Sequence, residues 1–263
     1  MRNVLIIQGE GNGHISQAIS YCYENDIKPL KIYISNRKEI PESLTNHFNN
    51  IPIVNLLSLN IKYNNGKISW KKTITYNIKI LPQFINNVFK IRKELKILNI
   101  DSVLNFYEPL SIATLFKCDK ISLSNQYLFY HKDWKYPEKN LKYYTISLWN
   151  VFTSLGSSKL IAPSFIPLKN SNKLKIIKPL IKKSILNKKI KHLDYTLVYL
   201  IDEYLVNKFI KHVRNNNEKY MLFCDENFIK NELPKNVTYF KLNETIFIEK
   251  LLNCKEIIST GGF

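Results

Sequence analysis

Short apolar runs alternate along the chain with segments of helical period, and this alternation confines the fold to a narrow set. A run such as Val4–Gln8, apolar at four consecutive positions, suits a strand covered on both faces. Such runs separated by helices are the signature of βαβ units around a parallel sheet. Strands are predicted at Val4–Gln8, Leu30–Ser35, Ile51–Leu57, Ser102–Asn105, Lys120–Ser124 and Leu160–Ala162. Helices are predicted after the glycine turn at residues 9–13, from about Lys71 to Ile97 with a break or kink at Pro82, after Pro109, and between Asn140 and Leu155. Residues 169–191, dense in Lys and Asn and holding Pro179, read as a crossing between domains. The rhythm then restarts, with strands at Tyr195–Ile201, Tyr220–Cys224, Val237–Phe240 and Glu256–Ser259 and helices at Glu203–Val213 and Glu244–Leu252. The fold class is therefore α/β: a Rossmann-like parallel-sheet domain over 1–168, a linker over 169–191, and a smaller, partial second domain over 192–263.

Composition removes several function classes. The 263 residues carry 39 Lys+Arg against 21 Asp+Glu, a formal charge of +18. Only Arg2, Arg37, Arg92 and Arg214 are arginines, and Arg supplies the bidentate fork that nucleic-acid readers use. No nucleic-acid partner is expected. The field should instead draw the protein toward anionic surfaces such as phospholipid headgroups. The four cysteines form no C-x-x-C pair, which argues against a zinc ribbon or a disulfide framework and fits a reducing cytosol. Val4–Ile7 is too short for the apolar core of a signal peptide. The most apolar later stretch, Thr145–Ala162, is broken by Asn150, Gly156 and Lys159. The expected location is cytoplasmic, peripheral on the inner membrane face.

Glycine marks the candidate site. The chain has seven, and five of them fall at two strand ends: Gly9, Gly11 and Gly13, then Gly261 and Gly262. Ligands of open α/β sheets bind at such carboxyl ends. The turn Gly9-Glu10-Gly11-Asn12-Gly13-His14 opens a helix whose N–H groups would favour a diphosphate; the alternative is a tight turn without ligand. It is not G-x-G-x-x-G, because position 14 is His14, and no Gly-Lys-Ser/Thr follows to make a P-loop. His14 is a candidate base at the mouth of the cleft, or else a helix-start histidine bonding its own loop. His47, His131, His192 and His212 show no metal-ligand spacing and read as surface residues. Glu108, in Asn105-Phe106-Tyr107-Glu108-Pro109, could orient His14 or bind a substrate hydroxyl; alternatively it complements the dipole of the helix that follows. Asn125 and Gln126, just past another strand, could face the same cleft or form an ordinary turn.

Together these segments resemble the nucleotide-sugar glycosyltransferases of the GT-B fold, closest to a bacterial branch related to the family 28 enzymes. Those enzymes include the peptidoglycan lipid-linked N-acetylglucosaminyltransferase. The segments Ile161-Ala162-Pro163, Ile177–Leu180, Thr196–Leu200 and Ile257–Phe263 follow the same order. The resemblance implies two facing Rossmann-like domains, the first for the acceptor and the second for the nucleotide-sugar donor, a UDP-sugar, with no cofactor and no metal. Activity would be transfer of a sugar to a lipid-linked or polysaccharide acceptor in cell-envelope glycan synthesis. By resemblance His14 is the base; Gly9, Glu10, Gly11, Asn12 and Gly13 contact acceptor or donor phosphate; Thr260, Gly261 and Gly262 start the donor diphosphate loop. Phe106 stands where many relatives carry Asp, which leaves Glu108 as the candidate carboxylate. The family's ribose-binding elements would follow Phe263, so the chain is expected to be incomplete in its donor domain, with a possible second chain completing it. The alternative is a non-catalytic acceptor-binding subunit or an inactive remnant.

Overall fold

The computed structural model describes every residue except 65–66, 116, 136–138, 182–184, 186–187, 231 and 261–263. In chain order the elements are β1 (Asn3–Ile7), α1 (Gly13–Glu24), β2 (Lys31–Ser35), α2 (Glu42–His47), β3 (Ile53–Leu56), β4 (Tyr63–Asn64), β5 (Lys67–Ile68), α3 (Trp70–Ile97) and β6 (Ser102–Phe106). A 3-10 turn (Pro109–Thr114), β7 (Asp119–Leu123), a second 3-10 turn (Asn125–Tyr130), α4 (Leu141–Ser154), β8 (Lys159–Pro163) and β9 (Leu174–Ile177) follow. The remainder is β10 (Leu193–Tyr199), α5 (Glu203–Val213), β11 (Tyr220–Cys224), β12 (Val237–Lys241), α6 (Glu244–Asn253) and β13 (Cys254–Ser259). The chain divides into two compact units, residues 1–60 with 73–182 and residues 61–72 with 183–263.

The first unit is built on a seven-stranded sheet of order β3-β2-β1-β6-β7-β8-β9. Every pairing in it is parallel. All five residues of β1 are buried, as the unbroken apolar run requires of a central strand. Leu5, Ile7, Ile32 and Ile34 pack on α1 and α2, whereas Val4, Ile6 and Tyr33 face the layer that holds Phe84, Ile91 and Leu95 of α3. Strand order reverses between β1 and β6, the kind of point at which open α/β sheets bind ligands. The loops there are the glycine turn and the segment around Glu108. Residues 169–191 correct the sequence reading: instead of a plain linker, they supply β9, which pairs with β8 at the sheet edge. His131 is a second correction. It is buried, with Nε2 bonded to the Lys169 carbonyl at 2.8 Å and Nδ1 accepting from the Asp133 amide at 3.1 Å.

Lys120, fully buried in β7, donates Nζ to the Leu155 carbonyl and to Ser111 Oγ. It meets the C-terminal end of α4, where the helix dipole favours a cation. Burial pulls the ammonium down to about 8.

The second unit holds a parallel sheet of order β12-β11-β10-β13. Its core joins Val198, Leu222 and Cys224 of the strands to Val206, Ile210 and Val213 of α5. Asp202 caps α5 through the Leu205 amide at 3.2 Å. The fold is thus mixed α/β with two Rossmann-like parallel sheets.

Pro82 does not end α3, which continues from Trp70 to Ile97. The carbonyl of Ile78, four residues earlier, loses its amide partner, and both Ile78 and Pro82 lie on the exposed side where water can replace it. Pro82→Ala restores the amide, and urea unfolding should show a gain of up to about 3 kcal/mol. A loss of stability would mean that the proline shape is required for packing.

Candidate active site in the first unit

The glycine turn is shaped by one steric demand and one charge. A Cβ on Gly9 would lie 1.8 Å from the Ser35 carbonyl oxygen, so only glycine lets the end of β1 close on β2. The Gly9 amide also donates to Ser35 Oγ at 3.2 Å. Gly11 adopts φ +69°, the left-handed region, and Gly13 opens α1. Asn12 stands at the N-cap of α1, but its side chain makes no capping bond. Its Oδ1 accepts from Arg37 Nη2, which also reaches the Gly11 carbonyl at 3.1 Å. The uncapped amides of α1 and the adjacent guanidinium together present positive potential beside the turn. Arg37 was not singled out from the sequence, although it is one of only four arginines.

His14 sits in the first turn of α1, half-buried, with its ring stacked on Tyr107 at a centroid distance of 5.3 Å and 23°. Its Nδ1 lies 3.3 Å from Gln17 Oε1. An amide oxygen only accepts, so the proton resides on Nδ1 and Nε2 keeps its lone pair. Gln17 in turn donates Nε2 to Asn125 Oδ1. Desolvation lowers the imidazole from 6.5 to about 4, slightly opposed by the Gln17 bond. His14 is accordingly neutral at pH 7, the state a base needs.

Glu108 differs from its expected role. It is fully buried and makes no bond to His14. Oε2 accepts from Ser35 Oγ, while Oε1 accepts from Ser58 Oγ and from the Leu110 amide at 3.1 Å, capping the 3-10 turn at Pro109. Its own amide donates to Asn105 Oδ1 at 2.9 Å. Burial raises the carboxyl from 4.5 to about 7, opposed by these bonds. The physical reason lies one residue earlier. Tyr107 takes φ +63°, which is unusual for a bulky side chain, so that its ring turns toward His14 and Glu108 turns inward. Tyr107 is held there by its hydroxyl, which donates to Asn150 Oδ1 at 2.6 Å. Phe106 points into the core against Tyr21.

The other sequence candidates separate clearly. Glu10 is exposed and accepts from Asn60 Nδ2. Asn60 is buried, bonded through its backbone to Asn77, and its Oδ1 has no partner among the described residues. Tyr76, bonded to Asn36 Oδ1 at 3.4 Å, is raised by burial and then by Glu10 and Glu108. Asn125 is exposed and belongs to the His14 chain. Gln126 is instead spent on its own turn: its Oε1 accepts from Ser124 Oγ and its carbonyl from Asn150 at 2.9 Å. Thr260 lies just past β13 in the second unit, its amide donating to the Tyr199 carbonyl at 3.1 Å. Gly261 and Gly262 lie outside the described residues. Among the described residues, no group of three His, Cys, Asp or Glu side chains could hold a metal ion.

The site therefore gathers His14, Gln17, Tyr107 and Asn125, with Gly9–Gly13 and Arg37 beside them. Gln17 carried a readable signal, three residues after His14 on one helix face.

The family described as glycosyl transferase family 1 matches residues 1–263, and the chain belongs to that family. A comparison with curated protein sequences finds no match. Among solved structures, a variant of Os79 from O. sativa in complex with UDP is 7% identical, with a TM-score of 0.65, over 99% of this chain and 77% of that one. UGT2 of Phytolacca americana, complexed with UDP-2-fluoroglucose and pterostilbene, is 9% identical at a TM-score of 0.53, covering 98% and 75%. Alr3699/HepE of Anabaena, in complex with UDP and glucose, is 11% identical at 0.51, covering 96% and 72%. These likenesses establish the GT-B fold.

Glu108 yields a pH signature. Its folded-state pKa is raised, so its contribution to stability is fully present below about 4.5 and declines as pH rises toward 7. His14, lowered to about 4, acts in the opposite sense, costing stability as pH falls from 6.5, but it is common to both proteins compared. Glu108→Gln should therefore gain on the native chain between pH 4.5 and 7, by no more than about 3 kcal/mol. Urea unfolding at several pH values checks this; parallel curves would contradict the raised carboxyl.

Proposed function

We propose that the chain transfers a sugar from a nucleotide-sugar donor, specifically a UDP-sugar, to a hydroxyl of a lipid-linked or polysaccharide acceptor in cell-envelope glycan synthesis. The observation that carries this reading is His14: a neutral imidazole with its proton on Nδ1, held by Gln17 and Tyr107 at the start of α1. Nε2 takes the proton of the acceptor hydroxyl. The oxygen attacks the anomeric carbon, and the bond to the diphosphate breaks, the nucleoside diphosphate leaving with the electron pair and the configuration inverting. The α1 amides and Arg37 offer positive potential to a phosphate or to developing negative charge. No step calls for a metal. UDP in the structures of Os79 and HepE supports the choice of donor.

A lipid-linked acceptor places the enzyme at the inner membrane face. No helix among the described residues is long and apolar enough to cross a membrane, so contact would be peripheral and aided by the charge of +18. β13 is exposed at Lys255–Ser259 on the edge of its sheet, which supports a second chain or further segment covering it and completing the donor site.

Titration with UDP and UDP-sugars, followed by a transfer assay, tests the reading. UDP binding and turnover are expected, with His14→Ala lowering kcat by about 10²–10⁴-fold at little change in donor KM. Gln17→Leu should lower kcat less and move the acid limb of the pH profile. Unchanged turnover in His14→Ala would remove His14 from the chemistry. Absence of UDP binding, even with the completing partner supplied, would leave a non-catalytic acceptor-binding subunit.

A further inference from the structure

Both supports of His14 lead to one buried amide on α4. The first support is the Tyr107 ring stacked on the imidazole, whose hydroxyl donates to Asn150 Oδ1 at 2.6 Å. The second runs from Nδ1 through Gln17 to Asn125, the first residue of the 3-10 turn Asn125–Tyr130. The carbonyl of the next residue, Gln126, accepts from Asn150 Nδ2 at 2.9 Å. Asn150 thus joins the loop after β6, which carries the ring, to the turn after β7, which carries the end of the amide chain.

Hydrogen-bonding chemistry fixes which way this amide faces. A carbonyl only accepts, so Nδ2 faces Gln126 and Oδ1 is left for the Tyr107 hydroxyl, which must then donate. Asn150 is fully buried within α4, where helix propensity and core packing would both favour leucine. Local structure alone therefore does not call for asparagine at this position. The helix that carries it is pinned separately. One turn further on, the Thr153 carbonyl accepts from Asn105 Nδ2 at 2.8 Å, and Thr153 Oγ1 accepts from the Tyr127 hydroxyl at 3.3 Å. Lys120 Nζ holds the Leu155 carbonyl at 2.5 Å. Asn105 belongs to β6 and Tyr127 to the 3-10 turn, so α4 is tied a second time to the same two segments. Removing the Asn150 amide alone should loosen its two loops and leave the helix in place.

We propose that Asn150 is a positioning residue for His14: its one amide sets both the Tyr107 ring and the turn that starts the Asn125–Gln17 chain, and so orients the imidazole. Its effect on turnover rests on the reading of His14 as the base. Its effect on the imidazole itself does not, and is read without any substrate.

Nuclear magnetic resonance of ¹⁵N-histidine-labelled full-length Asn150→Leu at neutral pH tests it. The native chain should show one His14 tautomer, with the proton on Nδ1. Asn150→Leu, with a native circular dichroism spectrum, should show ¹⁵N shifts averaged between the two tautomers. A merely structural role would lower the unfolding midpoint and leave the tautomer of the folded protein untouched. Should Asn150→Leu fail to fold, Tyr107→Phe keeps the ring, loses only the hydroxyl bond, and should move the shifts the same way by a smaller amount. In a transfer assay Asn150→Leu should lower kcat by up to about 10²-fold while donor KM stays unchanged. A single Nδ1-protonated tautomer in a folded Asn150→Leu, or in Tyr107→Phe where the leucine variant does not fold, overturns the proposal. A raised donor KM at native kcat also overturns it, since Asn150 would then serve donor binding. Unchanged turnover in His14→Ala would instead sink the base reading, and the resonances would still decide whether Asn150 orients the ring.

Discussion

Burying a carboxylate with no neighbouring cation among the described residues obliges the surrounding loops to come to it. Glu108 has no solvent exposure, and its partners are two hydroxyls and an amide. Ser35 ends β2, Ser58 follows β3, and the Gly9 amide that bonds Ser35 follows β1. One side chain from the end of β6 therefore ties together the carboxyl ends of four strands. Leaving any of these groups unpaired in a buried setting would cost about 1–3 kcal/mol, which makes the arrangement cooperative. The cost of the buried carboxyl itself shows in its raised pKa.

The proposed base, His14, lies beside this knot. Tyr107, in the left-handed region at φ +63°, carries Glu108 inward and stacks its own ring on His14. The ring and the Gln17–Asn125 chain fix the imidazole plane and its tautomer. Glu108 makes no bond to His14; its carboxyl bonds go to Ser35, Ser58 and the Leu110 amide. An amide in place of a carboxylate beside His14 has a chemical consequence. The histidine stays neutral and is oriented, while no fixed negative charge favours the imidazolium at rest.

Much of the fold was legible because burial on both faces leaves an unmistakable mark. β11, β1 from Val4 and β10 from Leu197 are continuous apolar runs, and α5 was read with its observed bounds because Asp202 caps it and its apolar face repeats cleanly. β9 was missed for the opposite reason: an edge strand in a Lys- and Asn-rich stretch buries little and carries no such pattern. At the site, the glycine turn and His14 were readable as a strand-end motif. The inward turn of Glu108 was not, since it depends on the φ of Tyr107 and on Ser35 and Ser58, 73 and 50 positions away in sequence. The link from Gln17 to Asn125 spans 108 positions and has no local signal at all.

In the proposed mechanism His14 rests as a neutral imidazole with Nε2 open to an acceptor hydroxyl. Nuclear magnetic resonance of the chain carrying ¹⁵N-labelled histidine, titrated from pH 8 downward, reads protonation and tautomer together. His14, assigned by its loss in His14→Gln, should show the proton on Nδ1 and an unprotonated Nε2, unchanged until the pH approaches about 4. A resonance that titrates near 6.5, or one that carries its proton on Nε2 at neutral pH, would contradict the account.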